Sequence, residues 1–170
     1  MYLQKPPFET VYERYYRQVF HLVYMRLLHR EDAEDVVADT FIKAMEAYER
    51  FDPTRASVST WLGRIAQNCT TDFLRRKGRR AEVGLDELPD TGAEDRELSA
   101  LTDEATAQVY RLMQHLHPAE RQLVALRYGM ELSNPEIGEL LAISPKAVSD
   151  RLARLLKKCR KLAEELADDD

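Results

Sequence analysis

The stretch from Glu136 to Arg154 reads EIGELLAISPKAVSDRLAR and decides the fold of the C-terminal part of the chain. It predicts two helices that cross closely around a tight turn, a helix-turn-helix. Gly138 supplies the small residue that a close crossing requires, and Ala142 takes the turn position that often carries glycine. Ile143 fills the turn with an apolar side chain, and Val148 anchors the second helix on the first. The alternative interpretation is an ordinary helical hairpin inside a bundle.

Both helices begin with an N-capping sequence. In the Ser133–Glu136 capping box, the serine hydroxyl can accept from the amide of Glu136 while the Glu136 carboxylate reaches back. At the second helix Ser144 is the expected N-cap and Pro145 the first helical residue. The pattern predicts a short helix over about 134–142, followed by a long helix whose apolar face is Val148, Leu152, Leu155, Cys159 and Leu162.

The outward face of the long helix is polar and mostly basic, which is typical of a helix that reads bases in the major groove. Aspartate is unexpected there, because an acid facing DNA repels phosphate unless it accepts from a cytosine amino group. The other role open to Asp150 is an ion pair with Arg154 four residues on, and we favour this second role. The candidate DNA-contacting residues are Ser144, Lys146, Ser149, Asp150, Arg151 and Arg154.

The rest of the chain is also predicted to be helical. Before residue 80, apolar residues recur at helical spacing in three runs, which predicts helices near 8–29, 32–50 and 57–77. Asp52-Pro53 separates the second from the third, since proline disfavours helical geometry in the preceding residue. Two more helices are expected before the helix-turn-helix, the second of them starting at Pro118. With no strand pattern and no repeat, we predict an all-α protein.

Acidic residues are concentrated in one short stretch. The formal net charge is -5, yet residues 1–80 hold 14 basic and 11 acidic side chains, whereas residues 81–103 hold one basic and eight acidic ones. This middle stretch also loses the helical period and gathers glycine and proline. We therefore predict two small helical domains, over 1–80 and 104–170, joined by a flexible acidic linker over 81–103.

A second candidate site lies at the end of the third predicted helix. Five of the six residues from 75 to 80 are basic and follow an aromatic residue, Phe73, which suits a surface that binds a DNA strand being unpaired. A solvated helix end favoured by its own dipole is the alternative, because cations stabilise helix C-termini. Trp61 lies on the apolar stripe of the same helix, where a core role is the more common one.

Several of these stretches resemble one family. The run Asp32-Ala33-Glu34-Asp35-Val36-Val37-Ala38-Asp39-Thr40-Phe41 is similar to the Asp-Ala-Glu-Asp-Leu-Val-Gln-Glu-Thr-Phe signature in region 2.2 of the extracytoplasmic-function sigma factors of bacterial RNA polymerase. Residues 59–80 resemble regions 2.3 and 2.4 of that family, and residues 132–162 resemble region 4.2. Ala38 and Asp39 depart from the usual Gln-Glu pair.

The resemblance implies a subunit that binds core RNA polymerase, recognises promoter DNA and helps to melt it. Asp35, Asp39 and Phe41 would form or support the surface that docks on the polymerase clamp. A flipped base of the minus-10 element would be captured by the loop at 54–57 with residues of the following helix. The residues implied at the minus-10 element are Thr54, Arg55, Ser57, Trp61, Arg64, Asn68, Arg75, Arg76, Lys77, Arg79 and Arg80.

By the same resemblance, the helix-turn-helix would read the minus-35 element as duplex DNA. The linker would thread the basic RNA channel of the polymerase, where negative charge mimics a transcript. An anti-sigma factor covering both domains is a further expected partner. The leading rival is a helix-turn-helix regulator that binds duplex DNA without polymerase.

Other functions find little support in the sequence. The four histidines form no triad or metal-ligand pattern; they are His21, His29, His115 and His117. The sequence also has no glycine loop that could hold phosphates. We therefore expect no catalysis, no small-molecule substrate, no cofactor and no metal. A small helical hydrolase or metalloenzyme is the second rival. Cys69 and Cys159 are expected to be buried thiols. Without a membrane span or a signal peptide, a cytoplasmic location is expected.

Overall fold

The computed structural model describes residues 4–82 and 104–168. Every regular element within these residues is helical. The helices are α1 (Phe8–Leu27), α2 (Arg30–Ala47), α3 (Val58–Glu82), α4 (Glu104–Gln114), α5 (Pro118–Val124), α6 (Asn134–Leu141) and α7 (Pro145–Asp168). A 3-10 turn, Tyr48–Arg50, follows α2, and a π-helical turn, Ala125–Gly129, follows α5. The predicted all-α class is therefore confirmed.

Helices α1, α2 and α3 pack against one another as a three-helix bundle. Their facing stripes supply fully buried side chains such as Val19, Val37 and Leu62. Each such side chain contributes about 1.5–3 kcal/mol when it leaves water. Lys77 of α3 adds an ion pair to the bundle, with Nζ 2.8 Å from Oδ2 of Asp32 in the first turn of α2.

Helices α6 and α7 form the predicted helix-turn-helix. Both N-caps are present: the Ser133 hydroxyl accepts from the amide of Glu136 at 3.3 Å, and the Ser144 hydroxyl accepts from the amide of Ala147 at 3.1 Å. Ala142 adopts the left-handed conformation, with φ of 55°, that ends α6. This conformation is the physical reason why glycine is common at the position.

The C-terminal helices do not stand apart from the bundle, because α5 and the π-helical turn pack against α1. Arg121 of α5 is 7% exposed and makes the main polar contact. Its guanidinium donates to the main-chain carbonyls of Met25, Arg26 and Leu116, with Nη1 2.7 Å from the Leu116 oxygen. Two of these carbonyls belong to the last turn of α1. One side chain thus joins the N-terminal bundle to the C-terminal helices.

A tyrosine–histidine pair makes a second contact between the two parts. The Tyr110 hydroxyl of α4 lies 2.6 Å from Nδ1 of His21 on α1, and the Tyr110 ring packs edge-on against Tyr24. Burial, and then the nearby Arg17 charge, lower the pKa of His21. The neutral imidazole is therefore the form that this contact favours.

Several expectations need adjustment. Helix α1 ends two residues early at Leu27, because Leu28 turns left-handed, and the end of the second predicted helix is the 3-10 turn. Cys69 is buried as expected, but Cys159 is only half-buried, which corrects the prediction for that thiol. The expected linker lies outside the described residues, so its structure stays a prediction. No helix among the described residues is long and apolar enough to span a membrane.

We predict that Gly138→Ala destabilises the protein by about 1–3 kcal/mol, because an added Cβ would lie 2.6 Å from the main-chain oxygen of Ile143. Gly63→Ala is the matched control: its Cβ would meet only the Leu140 side chain, at 3.6 Å. The Gly63→Ala protein should be as stable as the wild type or more stable by up to about 1 kcal/mol, because alanine favours helix more than glycine does. Urea unfolding of both variants measures the difference, and an equal effect at both positions would contradict the close-crossing argument.

Candidate nucleic-acid interface

The outward face of α7 is open to solvent over its first three turns. Lys146, Ser149, Arg151 and Arg154 are exposed there, while Val148 and Leu152 on the opposite side are buried against the rest of the C-terminal helices. This arrangement presents donors and positive charge along the edge of one helix, as a major-groove reader requires. Ser144, the N-cap, keeps its hydroxyl at the start of the same helix.

Asp150 is exposed on this face, but it does not make the ion pair that its spacing to Arg154 predicts. Among the described residues no ion pair joins its carboxylate to Arg154; the Arg154 Nε instead lies 3.4 Å from the main-chain oxygen of Asp150. The side chain of Arg154 therefore folds back on the helix backbone. Because the carboxylate makes no such pair, the reason for preferring that role over reading a base is lost.

The loop between α2 and α3 is held by its own side chains. The carboxylate of Asp52 accepts from the amide of Thr54 at 2.9 Å and from its hydroxyl at 2.6 Å. These hydrogen bonds lower the pKa of Asp52. Arg55 extends into solvent beside Asp52, with a side chain that is 87% exposed. Ser57 then caps α3 by accepting from the Thr60 amide at 3.1 Å.

Thr60, Arg64 and Asn68 follow at four-residue intervals on α3, which places them in one row along the helix. Arg64 and Asn68 are exposed, whereas Thr60 is buried. The row begins at Thr60, whose amide donates to the Ser57 hydroxyl, so Arg64 and Asn68 continue along α3 from the end of the 54–57 loop.

A hollow of about 280 Å³ lies at the start of this row. One wall is the loop from Pro53 to Ser57 together with Thr60, and the opposite wall is Glu136 and Glu139 of α6. The Arg64 guanidinium lies 3.2 Å from Oε1 of Glu139, and the Ser57 hydroxyl lies 3.4 Å from Oε1 of Glu136. Polar groups of the loop and α3 therefore face two carboxylates of the helix-turn-helix.

Some of the basic side chains at the end of α3 already make contacts within the protein. Arg76 is exposed and Arg75 lies 3.9 Å from Asp72, but Lys77 is engaged with Asp32 and lies over the Phe73 ring. Arg75 and Arg76 line a second hollow with Asp39, Lys43 and Asp72. The side chains of Arg79 and Arg80 lie outside the described part of the structure.

Two predicted aromatic residues are packed inside the bundle. Trp61 is half-buried, with its ring centroid 4.6 Å from that of Phe51, so part of the side chain is taken up by packing. Phe41 is 5% exposed and contacts Tyr12 and Tyr16, which are themselves exposed. Phe41 therefore supports a surface and cannot form one.

The predicted polymerase-binding acids lie on α2. Asp35 is exposed, and Asp39 is partly exposed with its carboxylate 3.5 Å from Lys43. Beyond them along the same helix, Ile42 and Met45 are exposed apolar side chains, at 52% and 56%. Sequence reasoning missed these two, although apolar residues outside the buried stripe of an amphipathic helix are a usable signal for a docking surface.

The described residues contain no group of three or more His, Cys, Asp or Glu side chains that could hold a metal ion. The features that gather on the surface are instead cationic and hydroxyl donors on α3 and α7. These groups suit contacts with phosphates and bases.

Comparisons with known proteins point to one family. The profile "Sigma-70 region 2" matches residues 11–80, and "Sigma-70, region 4" matches residues 106–159. "ECF RNA polymerase sigma factor SigW" of Bacillus subtilis is 31% identical over 94% of this chain and 90% of its own length.

Two solved structures also match this chain. "Structure of CnrH in complex with the cytosolic domain of CnrY" matches with a TM-score of 0.61 and 26% identity, over 96% of this chain and 88% of the other. The sigma factor RpoE of Bartonella quintana, solved with the anti-sigma factor NepR, matches with a TM-score of 0.74 and 16% identity, over 92% and 96%. The second likeness bears on the fold alone.

Proposed function

Since the chain belongs to the extracytoplasmic-function RNA polymerase sigma factors, we propose that it directs core polymerase to a bipartite promoter through two separate surfaces. The minus-35 element is read as duplex by α7. The minus-10 element is captured as a single strand by the 54–57 loop together with Arg64 and Asn68 of α3. The acids of α2 dock on the polymerase clamp.

One observation carries this proposal: the molecule presents a donor-rich helix face on α7 and a separate donor-rich row on α3. A duplex reader needs the first, and a protein that binds an unpaired base needs the second. The rival, a regulator that binds duplex DNA without polymerase, gives no reason for the second surface. Gel filtration of the chain with core polymerase tests the choice: co-elution is expected, and separate elution with intact duplex binding would favour the rival.

Further parts of the proposal follow from the family. We infer that the functional domains are 1–80 and 104–170, that the acidic segment 81–103 enters the polymerase between them, and that the chain works in the cytoplasm, where polymerase acts. We expect no catalysis by this chain. Because the related CnrH and RpoE are described with CnrY and NepR, an anti-sigma partner is proposed here as well.

We predict that Asp35→Arg combined with Asp39→Arg abolishes co-elution with core polymerase, since two attractive charges on α2 become repulsive. Both positions lie at the helix surface, so helical content should persist and stability should change by no more than about 0.5 kcal/mol per site. Glu164→Arg with Glu165→Arg is the matched control, because it makes the same charge change on α7. Unchanged affinity of the Asp35/Asp39 variant would remove the clamp assignment.

The minus-10 assignment predicts that Asn68→Ala weakens promoter opening while polymerase binding stays intact. The amide is exposed on the α3 row, where it can hydrogen-bond the edge of an unstacked base. Permanganate footprinting of thymines measures opening, with Gln108→Ala, an exposed amide on α4, as the control. Equal footprints for wild type and Asn68→Ala would place the capture site elsewhere.

At the minus-35 element we propose that Asp150 reads a base, because its exposed carboxylate can accept a hydrogen bond from a cytosine amino group. Asp150→Ala should relax the preference at one promoter position by about 1–3 kcal/mol of discrimination. Selection of randomised minus-35 duplexes by the holoenzymes measures this, and Glu164→Ala, on the distal end of the same helix, controls for lost negative charge. A uniform change at all positions would instead indicate general repulsion of phosphate.

A further inference from the structure

We propose that Lys5, in the segment that precedes α1, is a positioning residue for the minus-10 surface. Its ammonium donates to three main-chain carbonyls at the turn from which the 54–57 loop departs. The acceptors are the oxygens of Tyr48, Glu49 and Phe51. That the loop binds DNA rests on the proposed function, whereas the hold of Lys5 on the turn is a feature of the structure itself.

The three acceptors lie at the C-terminal end of a helical run. Helix α2 passes directly into the 3-10 turn Tyr48–Arg50, and Phe51 then takes an extended conformation. Carbonyls at the end of such a run carry partial negative charge, which a cation stabilises. Lys5 Nζ lies 3.0 Å from the Glu49 oxygen and 3.1 Å from the Phe51 oxygen. A lysine ammonium has three donors, so this one side chain can bond all three carbonyls.

The segment before α1 is bound to the same turn a second time. The Tyr48 hydroxyl donates to the main-chain oxygen of Pro6, and Lys5 Nζ lies 4.8 Å from the centre of the Tyr48 ring. Tyr48 is buried, so these contacts form next to the core of the bundle. Pro6 and Pro7 stiffen the segment, because proline fixes φ. The segment before α1 and the end of α2 therefore hold each other in place.

The influence of Lys5 extends into the loop. Asp52, whose carboxylate binds the amide and the hydroxyl of Thr54, directly follows Phe51. The hydrogen bonds from Thr54 are the main reason why the pKa of Asp52 is lowered, and the positive charge of Lys5 adds to their effect. By binding the Phe51 oxygen, Lys5 therefore holds the point at which the hydrogen bonds of the loop begin.

Aromatic contacts link the turn to α3 on the other side of the loop. The rings of Tyr48 and Phe51 stack with their centroids 6.1 Å apart, and the Phe51 centroid lies 4.6 Å from that of Trp61. The loop therefore leaves and rejoins the helices beside one aromatic cluster. Trp61 is the only tryptophan of the chain, so its fluorescence reports on any shift of Phe51.

A loop that is held before DNA arrives favours base capture, because binding then does not have to order it. Without the ammonium of Lys5, a matched DNA strand would bear that ordering cost. A strand with a wrong base makes fewer contacts with the loop and should lose less affinity. We therefore expect Lys5 to act on the discrimination between DNA strands.

The test compares Lys5→Met, which removes the ammonium from a side chain of similar length, with Lys5→Arg, which keeps a cation with several donors. Arg50→Met is the matched control, because it removes an exposed positive charge from the same turn. The probe is a fluorescein-labelled single strand from the minus-10 region of a promoter that the wild-type holoenzyme selects from randomised DNA. Fluorescence anisotropy measures the affinity of each holoenzyme for this strand and for the same strand with one substituted base.

We expect Lys5→Met to lower the ratio of the two affinities about fivefold, which corresponds to the cost of ordering one flexible side chain on binding. Lys5→Arg and Arg50→Met should keep the wild-type ratio. An unchanged ratio in Lys5→Met would overturn the proposal, and so would an equal loss in Arg50→Met.

A second measurement reports on the turn without DNA. In the free chain, Lys5→Met should make Trp61 more accessible to quenching by acrylamide, because Phe51 is held less firmly against its ring. Tyr48→Phe removes only the hydroxyl that binds Pro6, and it should raise the quenching in the same direction. Circular dichroism checks the helical content, and if Lys5→Met has lost it, both measurements on Tyr48→Phe decide. Quenching equal to that of the wild type in the folded variants would also overturn the proposal.

The two readouts separate this proposal from the one on which it rests. If the minus-10 assignment is wrong, Asn68→Ala leaves promoter opening unchanged, and the quenching of Trp61 still responds to Lys5→Met. If only the positioning role is wrong, Asn68→Ala impairs opening, and Lys5→Met changes neither the quenching nor the ratio of affinities.

Discussion

The buried guanidinium of Arg121 determines how the two halves of the molecule sit together. Helix α1 ends at Leu27 with carbonyls that have no partner further along the helix, and its C-terminus carries partial negative charge. Arg121 reaches these carbonyls from α5 and also bonds Leu116 in its own half. If the carbonyls of α1 no longer reached Arg121, its buried charge would lose these partners, at a cost of several kcal/mol. The same packing of α5 on α1 accompanies the contact of α6 with α3.

The features that the sequence predicted correctly are those that depend on neighbours in the chain. The capping box at Ser133, the N-cap at Ser144, the left-handed turn at Ala142 and the small residue at Gly138 are local requirements of a close helix crossing. Such requirements restrict which residue types can occupy a position, so a single sequence displays them. The three-helix bundle was predictable for a related reason, since its buried stripes repeat at the helical period.

The features that escaped prediction depend on residues far apart in the chain. Arg121 looks like an ordinary surface arginine in a short helix, because the carbonyls that it binds are 95 and 96 residues away. Glu136 was recognised as part of a cap, yet the same carboxylate also faces Ser57 across 79 residues. The error at Asp150 has a different origin: four-residue spacing permits an ion pair but does not require it, and the Arg154 side chain bonds the helix backbone instead.

The two contacts between the halves differ in physical kind, and dissolved salt therefore acts on them differently. Around Arg121, Tyr110 and Tyr24 the contact is largely buried, so dissolved salt screens it little. Between α3 and α6 the charged groups are exposed. Dissolved ions, which screen charges with a Debye length of about 8 Å at physiological ionic strength, weaken the attraction between these exposed groups more than they weaken a buried contact. The exposed pair of Arg64 and Glu139 is therefore the weaker of the two contacts.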